Sequence, residues 1–240
     1  MSEPIIKAFP HEPTPQQLEL FAKLHDFLIS DDGDECFILK GYAGTGKTTI
    51  LGALTKALRA YNFKYVLLAP TGRAAKVITA YSGRKAFTIH KKIYRKKAAF
   101  NVDEGFSIGD NIADNTLFIV DEASMISDDA DFGGRGLLTD LVDYVFEKDS
   151  NKLLIIGDSA QLPPVKQELS PALDGDYLRA NFSLDLLEYE LKEVVRQMSN
   201  SGILMNATSL RENISKGNTR IKFNTKGYPD IFRMTGEKLE

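Results

Sequence analysis

The feature that most constrains this chain is a glycine-rich segment directly after a short apolar run at 36–39. It satisfies the pattern G-x-x-x-x-G-K-[ST] and reads Gly41-Tyr42-Ala43-Gly44-Thr45-Gly46-Lys47-Thr48. A turn without bulky side chains lets successive backbone N–H groups converge on a phosphate, while the next helix directs its N-terminus at the anion. The segment therefore predicts a nucleotide phosphate-binding loop between a buried strand and a helix.

The residue types in this loop predict how a nucleotide and a cation are held. We expect Lys47 to neutralise β- and γ-phosphate oxygens and Thr48 to offer its hydroxyl to Mg²⁺, so ATP and Mg²⁺ are the predicted cofactors. The alternative is a glycine-rich turn with a surface lysine, which the strand-then-helix context disfavours. The predicted nucleotide-binding residues of the loop are Gly41, Ala43, Gly44, Thr45, Gly46, Lys47, Thr48 and Thr49.

Apolar patterning along the chain predicts an α/β fold. Runs at 37–39, 65–69, 117–120 and 153–156 are continuous, which is typical of parallel strands buried on both faces. Helical patterns lie between them at 48–60, 73–81 and 137–146. An earlier helix begins after Thr14, because Thr14 can cap it and Gln17 can complete a capping box. Its apolar face is predicted to carry Leu18, Phe21, Leu24 and Leu28.

Composition narrows the class of protein further. The chain has 240 residues, 43% of them hydrophobic, which is enough to bury a full core. No apolar run approaches the roughly 18 residues of a membrane span, and the polar start lacks the apolar segment of a secretory signal. The single Cys36 lies in a predicted buried strand. We therefore expect a cytoplasmic protein without disulfides and without membrane association.

Charge is distributed very unevenly along the sequence. Residues 36–102 contain no Asp or Glu and fourteen Lys or Arg, whereas the whole chain has a net charge of -3. A one-sided basic segment is typical of proteins that bind a phosphate polymer as well as a nucleotide. The alternative is a solvated basic face, which is common for the cluster of Lys91, Lys92, Lys96 and Lys97.

A second acidic signal follows the apolar run at 117–120. Asp121 and Glu122 come at its C-terminal end, where ligands sit in open α/β sheets. Downstream of a phosphate-binding loop, this is the Walker B pattern. Asp121 is expected to hold Mg²⁺, usually through water, and Glu122 to orient and deprotonate the attacking water. The alternative is a helix cap, the commoner role of such a pair taken alone.

Two segments depart from the strand-helix rhythm. Residues 93–115 contain turn residues between possible strands, which predicts a small β-hairpin insertion with Phe100 and Phe106 near its tip. After residue 198 a helix carries Ile203, Leu204, Ala207, Leu210 and Ile214 on one face and stops at Gly217.

Further segments complete an ordered series of motifs. They are APTGRAAK at 69–76, TIH at 88–90, DEASM at 121–125, GDSAQLPPV at 157–165 and VVRQ at 194–197. Together with the phosphate-binding loop, this series resembles the superfamily 1 helicases of the 5′-to-3′ branch, the RecD and Dda type. The resemblance covers roughly residues 14–217. It implies a P-loop, RecA-like motor that hydrolyses ATP to move along single-stranded DNA.

The resemblance also implies roles around the nucleotide. Gln17 looks like the glutamine that recognises adenine, a role compatible with its capping box. Gln161 looks like the γ-phosphate sensor, and Arg196 like an arginine that reaches the γ-phosphate, which offsets negative charge on the transferring phosphoryl group. The alternative for Arg196 is a surface ion pair with Glu193.

For the nucleic acid, the resemblance implies contacts with the sugar-phosphate backbone of a single strand. Thr hydroxyls, helix N-terminal N–H groups and basic side chains supply contacts that do not depend on base sequence. His90 could instead be an interior histidine, and the hairpin aromatics could act at the duplex fork or only pack the hairpin. The predicted residues are Pro70, Thr71, Arg73, Lys76, Thr88, His90, Phe100 and Phe106.

The C-terminus departs from the family, whose members have two RecA-like domains. Only 44 residues follow Arg196, fewer than the roughly 100 of a typical domain. We predict a motor domain at 1–198, with the insertion at 93–115, and the beginning of a second domain or a linker at 199–240. Alone, the chain is expected to be a monomer with weak activity.

Two other functions stay open from sequence alone. One is an RNA-directed helicase of the same superfamily, because phosphate contacts dominate in both. The other is a non-motor module that binds ATP and single strands, or a subunit of a RecBCD-like nuclease complex. Single-stranded DNA is the expected partner, together with a possible larger complex of DNA repair, recombination or replication.

Overall fold

A computed structural model describes residues 2–31, 33–96, 106–129, 135–193, 195, 201–218 and 221–232. The chain divides into two compact units. The first comprises Met1–Gly41 and Lys47–Leu191, and the second comprises Tyr42–Gly46 and Lys192–Glu240. None of the helices in the described ranges is long and apolar enough to cross a membrane.

A six-stranded sheet with parallel neighbours forms the centre of the first unit. Its strands in chain order are β1 Glu35–Gly41, β2 Lys64–Ala69, β3 Ala86–Thr88, β6 Thr116–Val120, β7 Lys152–Gly157 and β8 Asp185–Leu191. In space the order is β3-β2-β6-β7-β1-β8. Two short antiparallel strands between β3 and β6, β4 Tyr94–Lys96 and β5 Phe106–Ile108, form a separate pair. The predicted α/β class with a parallel sheet is confirmed.

Helices cover both faces of this sheet. Those of the first unit are α1 Glu3–Ala8, α2 Pro15–Ile29, α3 Lys47–Ala57, α4 Gly72–Ser82, α5 Ile89–Ile93, α6 Leu137–Val145 and α7 Gly175–Phe182. Successive side chains of β1 alternate between two cores, because neighbours along a strand point to opposite faces. Phe37 and Leu39 join the core built with α1 to α4, whereas Cys36 and Ile38 join the core built with α5 to α7.

The helix before the first strand begins where the sequence predicts. Thr14 and Gln17 form the expected capping box at the start of α2, and Pro15 occupies the first helical position. The buried face is rotated from the predicted one. Leu18 is 42% exposed, and the buried apolar residues are Leu20, Phe21, Leu24, Phe27 and Leu28.

Several elements have no counterpart in the sequence prediction. These are α1, β3, α5, α7 and β8. The strand β8 was not predicted because its sequence mixes acidic and apolar residues. This strand lies at the edge of the sheet, and only Leu186 and Leu191 are buried in it. The helix predicted at 48–60 ends as α3 at Ala57 and continues as a 3₁₀ turn, Leu58–Tyr61.

The predicted hairpin insertion is represented by β4 and β5. Tyr94 pairs with Ile108 and Lys96 pairs with Phe106. The side chain of Phe106 is 49% exposed. Phe100 lies outside the described residues, as does the rest of 97–105.

The second unit contains the helix α8, Gly202–Ser215. Ser201 caps this helix, and the Asp230 carboxylate accepts hydrogen bonds from the Gly202 and Ile203 backbone N–H groups. The predicted apolar face is largely open at its ends, since Ile203 and Ile214 are exposed.

Candidate functional site

The phosphate-binding loop adopts a conformation that needs its glycines. Gly44 and Gly46 have φ angles of 83° and 92°, in the left-handed region that side chains disfavour. Thr45 between them is fully buried, and its hydroxyl donates to the Tyr42 carbonyl over 2.8 Å. The loop is therefore braced from inside by Thr45, while the small residues Ala43 and Gly44 leave its backbone accessible.

Two further contacts brace this loop from within the second unit, to which Tyr42–Gly46 belong. The Val195 backbone N–H donates to the Gly44 carbonyl over 3.1 Å. The Arg211 guanidinium lies 4.6 Å from the ring centre of Tyr42, a cation–π contact. Neither contact could be predicted from the sequence, because no sequence motif indicates that Val195 or Arg211 contacts the phosphate-binding loop. Arg196, the predicted γ-phosphate arginine, lies outside the described residues.

Lys47 begins α3, and its ammonium donates to the Gly41 carbonyl at the end of β1. The lysine stem is flexible, so the same ammonium can exchange this carbonyl for a phosphate oxygen. Thr48 follows in the first turn with an exposed side chain, and Thr49 is half-buried.

Asp121 and Glu122 follow β6, as predicted. The Tyr81 hydroxyl donates to Asp121 Oδ2 over 2.6 Å, and the Glu122 backbone N–H donates to Asp121 Oδ1 over 2.9 Å. Glu122 has a φ of 59°, a left-handed conformation that is uncommon for a residue with a side chain. Its side chain makes no capping hydrogen bond to the following 3₁₀ turn. The helix-cap alternative is therefore wrong for Glu122.

The environment of Glu122 changes its acidity. Burial raises the pKa of its carboxyl above the ordinary value of 4.5, and the neighbouring charge of Asp121 raises it further. A hydrogen bond from Gln161 and the positive charge of Lys47 act in the opposite direction. The structure thus gathers Lys47, Asp121, Glu122 and Gln161 at the carboxyl ends of neighbouring strands.

Gln161 is oriented by a short relay. Ser124, just after the two carboxylates, donates its hydroxyl to Gln161 Oε1 over 2.9 Å. That bond leaves the Gln161 amide N–H groups to face Glu122, because the amide oxygen is already engaged. The turn that presents Gln161 is held by the buried Asp158, whose carbonyl accepts from the Gln161 backbone N–H over 3.1 Å.

Gln17, the predicted adenine-recognising residue, is buried at the first turn of α2. Its Oε1 accepts from the Thr14 backbone N–H over 3.1 Å, which is the capping role. The side chain is therefore fixed at the helix start with its amide oxygen engaged.

Three of the predicted nucleic-acid residues line one pocket of about 180 Å³ in the first unit. Pro70 and Thr71 enter it from the end of β2, and His90 enters it from α5, where its ring lies 5.6 Å from that of Tyr94. The remaining lining residues are Tyr94, Met125, Ser127, Arg135 and Leu137. Sequence reasoning missed Tyr94, Met125 and Arg135, since their roles depend on the fold bringing three segments together.

The two predicted threonines serve as helix caps. The Thr71 hydroxyl accepts from the Ala74 N–H at the start of α4, and the Thr88 hydroxyl accepts from the Lys91 N–H at the start of α5. Both engaged oxygens still lie at helix N-termini, where partial positive charge favours anions. Arg73 and Lys76 are exposed on α4.

Two features define the class of P-loop nucleotide-binding α/β proteins. One is a strand, a glycine-rich loop and a helix that begins with a lysine, and the other is a pair of carboxylates at the carboxyl end of a second strand. The comparison with known families is more specific. Residues 14–226 match the family described as AAA domain, and the chain belongs to that family. Its relatives and fold make this a motor domain of the superfamily 1 helicase type.

Two curated relatives illustrate the similarity. The chain is 32% identical over 133 residues to the ATP-dependent RecD2 DNA helicase of Deinococcus radiodurans, covering 55% of this chain and 17% of that protein. It is 30% identical over 177 residues to the ATP-dependent DNA helicase dda of Enterobacteria phage T4, covering 72% of this chain and 37% of that protein.

A solved structure supports the fold. The Pif1 helicase from Candida albicans superposes with a TM-score of 0.53 at 21% identity, covering 88% of this chain and 45% of that chain. The chain thus spans less than half the length of each of these three proteins.

Proposed function

We propose that this chain is the ATP-binding motor domain of a DNA helicase, which in its complete form moves 5′ to 3′ along single-stranded DNA. The observation that carries the proposal is the gathering of Lys47, Asp121, Glu122 and Gln161 at the carboxyl ends of the strands. A cation for phosphate, a carboxylate for metal and a carboxylate with a raised pKa are the groups that phosphoryl transfer to water requires.

ATP binding starts at the loop between β1 and α3. The backbone N–H groups of Ala43, Gly44 and Gly46 surround the β-phosphate, while Lys47 leaves the Gly41 carbonyl for the β- and γ-phosphate oxygens. Gln17 is proposed to recognise adenine from the first turn of α2, where its amide oxygen accepts from the Thr14 N–H.

The residues present fit Mg²⁺, because this cation prefers oxygen ligands and retains several waters. Thr48 offers an exposed hydroxyl, and Asp121 offers a carboxylate whose two oxygens can each accept more than one hydrogen bond. When bound, Mg²⁺ supplies charge neutralisation for the phosphates.

Glu122 holds and deprotonates the attacking water. Its raised pKa suits a general base, because a more basic carboxylate accepts a proton more readily. Gln161 lies against Glu122 and is held by Ser124, so its amide can detect the γ-phosphate. Arg196 is proposed to approach the same phosphate from the segment after β8.

The single strand is proposed to run past the pocket of Pro70, Thr71 and His90 and the exposed side of α4. Helix N-termini and the basic side chains Arg73 and Lys76 contact phosphates without reading bases. The exposed Phe106 is proposed to offer a stacking surface in the insertion. Thr88 contributes through the N-terminus of α5.

The test measures ATP hydrolysis and strand binding on the same preparation. We expect slow Mg²⁺-dependent hydrolysis and binding of unstructured DNA oligonucleotides at least as tight as of RNA oligonucleotides. The double variant R73A/K76A should flatten the dependence of log affinity on log salt by about 0.7 for each phosphate that it no longer neutralises. The matched control K56A/R59A removes two exposed basic residues at the end of α3 and its 3₁₀ turn.

Each outcome separates the functions considered. No hydrolysis with intact binding of ATP and DNA would support a non-motor module, and a preference for RNA would support an RNA-directed helicase. An unchanged salt dependence in R73A/K76A would remove α4 from the strand contact.

A further inference from the structure

One residue outside every motif touches the metal-holding carboxylate. The Tyr81 hydroxyl donates to Asp121 Oδ2 over 2.6 Å, a short hydrogen bond. The hydroxyl is the donor of this bond, and the carboxylate oxygen is its acceptor.

The fold fixes both partners of this bond. Tyr81 lies in the last turn of α4, and its partly buried ring packs against the apolar core on that face of the sheet. Asp121 is anchored by its backbone N–H, which donates to the Leu68 carbonyl of β2 over 3.0 Å. The second carboxylate oxygen accepts from the Glu122 N–H. Two donors on two oxygens restrain the orientation of the carboxylate plane.

We propose that Tyr81 is a positioning residue that orients the Asp121 carboxylate toward the Mg²⁺ of bound ATP. The inference rests on the proposed function. A carboxylate oxygen has more than one lone-pair site, so Oδ2 can accept from Tyr81 and still receive a metal-bound water. Partners that orient a metal-ligating carboxylate typically contribute 10- to 100-fold to metal affinity.

A purely structural role makes a different prediction. If the bond only ties α4 to the end of β6, its removal lowers stability and leaves the Mg²⁺ dependence of nucleotide binding unchanged. The conservative variant Y81F removes the hydroxyl and keeps the ring. The matched control Y61F removes a hydroxyl that is hydrogen-bonded to His25 Nδ1 over 3.0 Å and is remote in sequence from Asp121.

The experiment measures ATP affinity by calorimetry in EDTA and across a Mg²⁺ titration, with thermal unfolding of each variant. In Y81F we expect the Mg²⁺ concentration that gives half of the affinity gain to rise by about 10-fold or more. Affinity for Mg²⁺-free ATP should stay within about twofold, and Y61F should match the wild type on both measures, since the hydrogen bond that it removes lies elsewhere.

A double variant keeps the proposal testable if stability changes. In a D121N background, Y81F should cause little further loss of Mg²⁺ dependence, because the partner it orients is already altered. Wild-type Mg²⁺ dependence retained in Y81F, or full additivity of the two substitutions, overturns the role of Tyr81. Absence of Mg²⁺-dependent ATP binding in the wild type overturns the proposed function instead.

Discussion

Charged side chains are arranged differently at the two ends of the parallel sheet, as an ion pair at one end and as adjacent carboxylates at the other. At the amino ends of β1 and β7, the buried Lys152 ammonium pairs with the buried Glu35 carboxylate. The same ammonium donates to the carbonyls of Phe27 and Ser30 over 2.7 and 2.9 Å, which closes the C-terminal end of α2. At the carboxyl ends, Asp121 and Glu122 adjoin each other, with burial and mutual repulsion raising the pKa of Glu122.

The difference separates stability from reactivity within one sheet. The Lys152 ammonium donates to a carboxylate and to two backbone carbonyls, so its charge is paired and hydrogen-bonded. At the other end two carboxylates repel each other, and Lys47 and the Gln161 amide offset part of that repulsion around Glu122. A site with excess negative charge can bind a cation and abstract a proton. The ion pair of Lys152 and Glu35 is suited to neither, because its charges are already paired.

The largest effect is expected from a substitution at the carboxyl ends of the strands, where Glu122 lies. The variant E122Q keeps the shape of the side chain but cannot accept a proton, so hydrolysis should fall by about 10²- to 10⁴-fold. ATP affinity should change little. In the wild type, hydrolysis should be lost as pH falls through the raised pKa of Glu122, above the ordinary value of 4.5, because the base must be deprotonated. Initial rates of phosphate release across pH measure both effects.

The exposed Glu12 supplies the control, since E12Q makes the same chemical change before α2. Hydrolysis by E122Q within twofold of the wild type would remove Glu122 from the role of base.

The second-largest effect is expected at the amino ends of the strands, where Lys152 pairs with Glu35. The variant K152M leaves Glu35 buried without a partner, and breaking a buried pair in this way typically costs about 3–5 kcal/mol of unfolding free energy. Denaturant unfolding monitored by circular dichroism measures the loss. The double variant K152M/E35M should recover much of it, because no charge then remains buried. A loss below about 1 kcal/mol in K152M would contradict the view that this end is built for stability.

The smallest of the three effects concerns the cation at the reactive end. The variant K47A removes a charge-assisted phosphate contact and should weaken MgATP binding by about 1.5–3 kcal/mol. Titration with a fluorescent ATP analogue measures it. Folding stability should stay near that of the wild type, unlike in K152M. K56A, which replaces an exposed lysine on the same helix, is the control. Equal MgATP affinity in K47A and the wild type would refute the phosphate-loop assignment.

Most of the framework of this site could be predicted from local sequence. The strands β1, β2, β6 and β7 are continuous apolar runs, and the loop glycines and the Asp121-Glu122 pair stand at fixed positions relative to them. Such features are local, so periodicity and motif spacing capture them.

Contacts between distant segments could not be predicted in the same way. Tyr81 and Asp121 are 40 residues apart, and Lys152 lies 117 residues from Glu35. A lysine or tyrosine in sequence gives no sign of its partner, and Lys152 would ordinarily be placed at the surface. The edge strand β8 was missed for a related reason, because its pairing with β1 overrides the weak strand pattern of its own residues.

Cys36, the single cysteine of the chain, lies in β1 between Leu153 of β7 and Leu186 of β8 and is fully buried. Burial raises the pKa of its thiol well above the ordinary value, so it is unreactive while the sheet is closed. The rate at which a thiol reagent modifies the native chain therefore reports how often these three strands separate. Cys36 is therefore a natural probe of how often the core of this sheet opens.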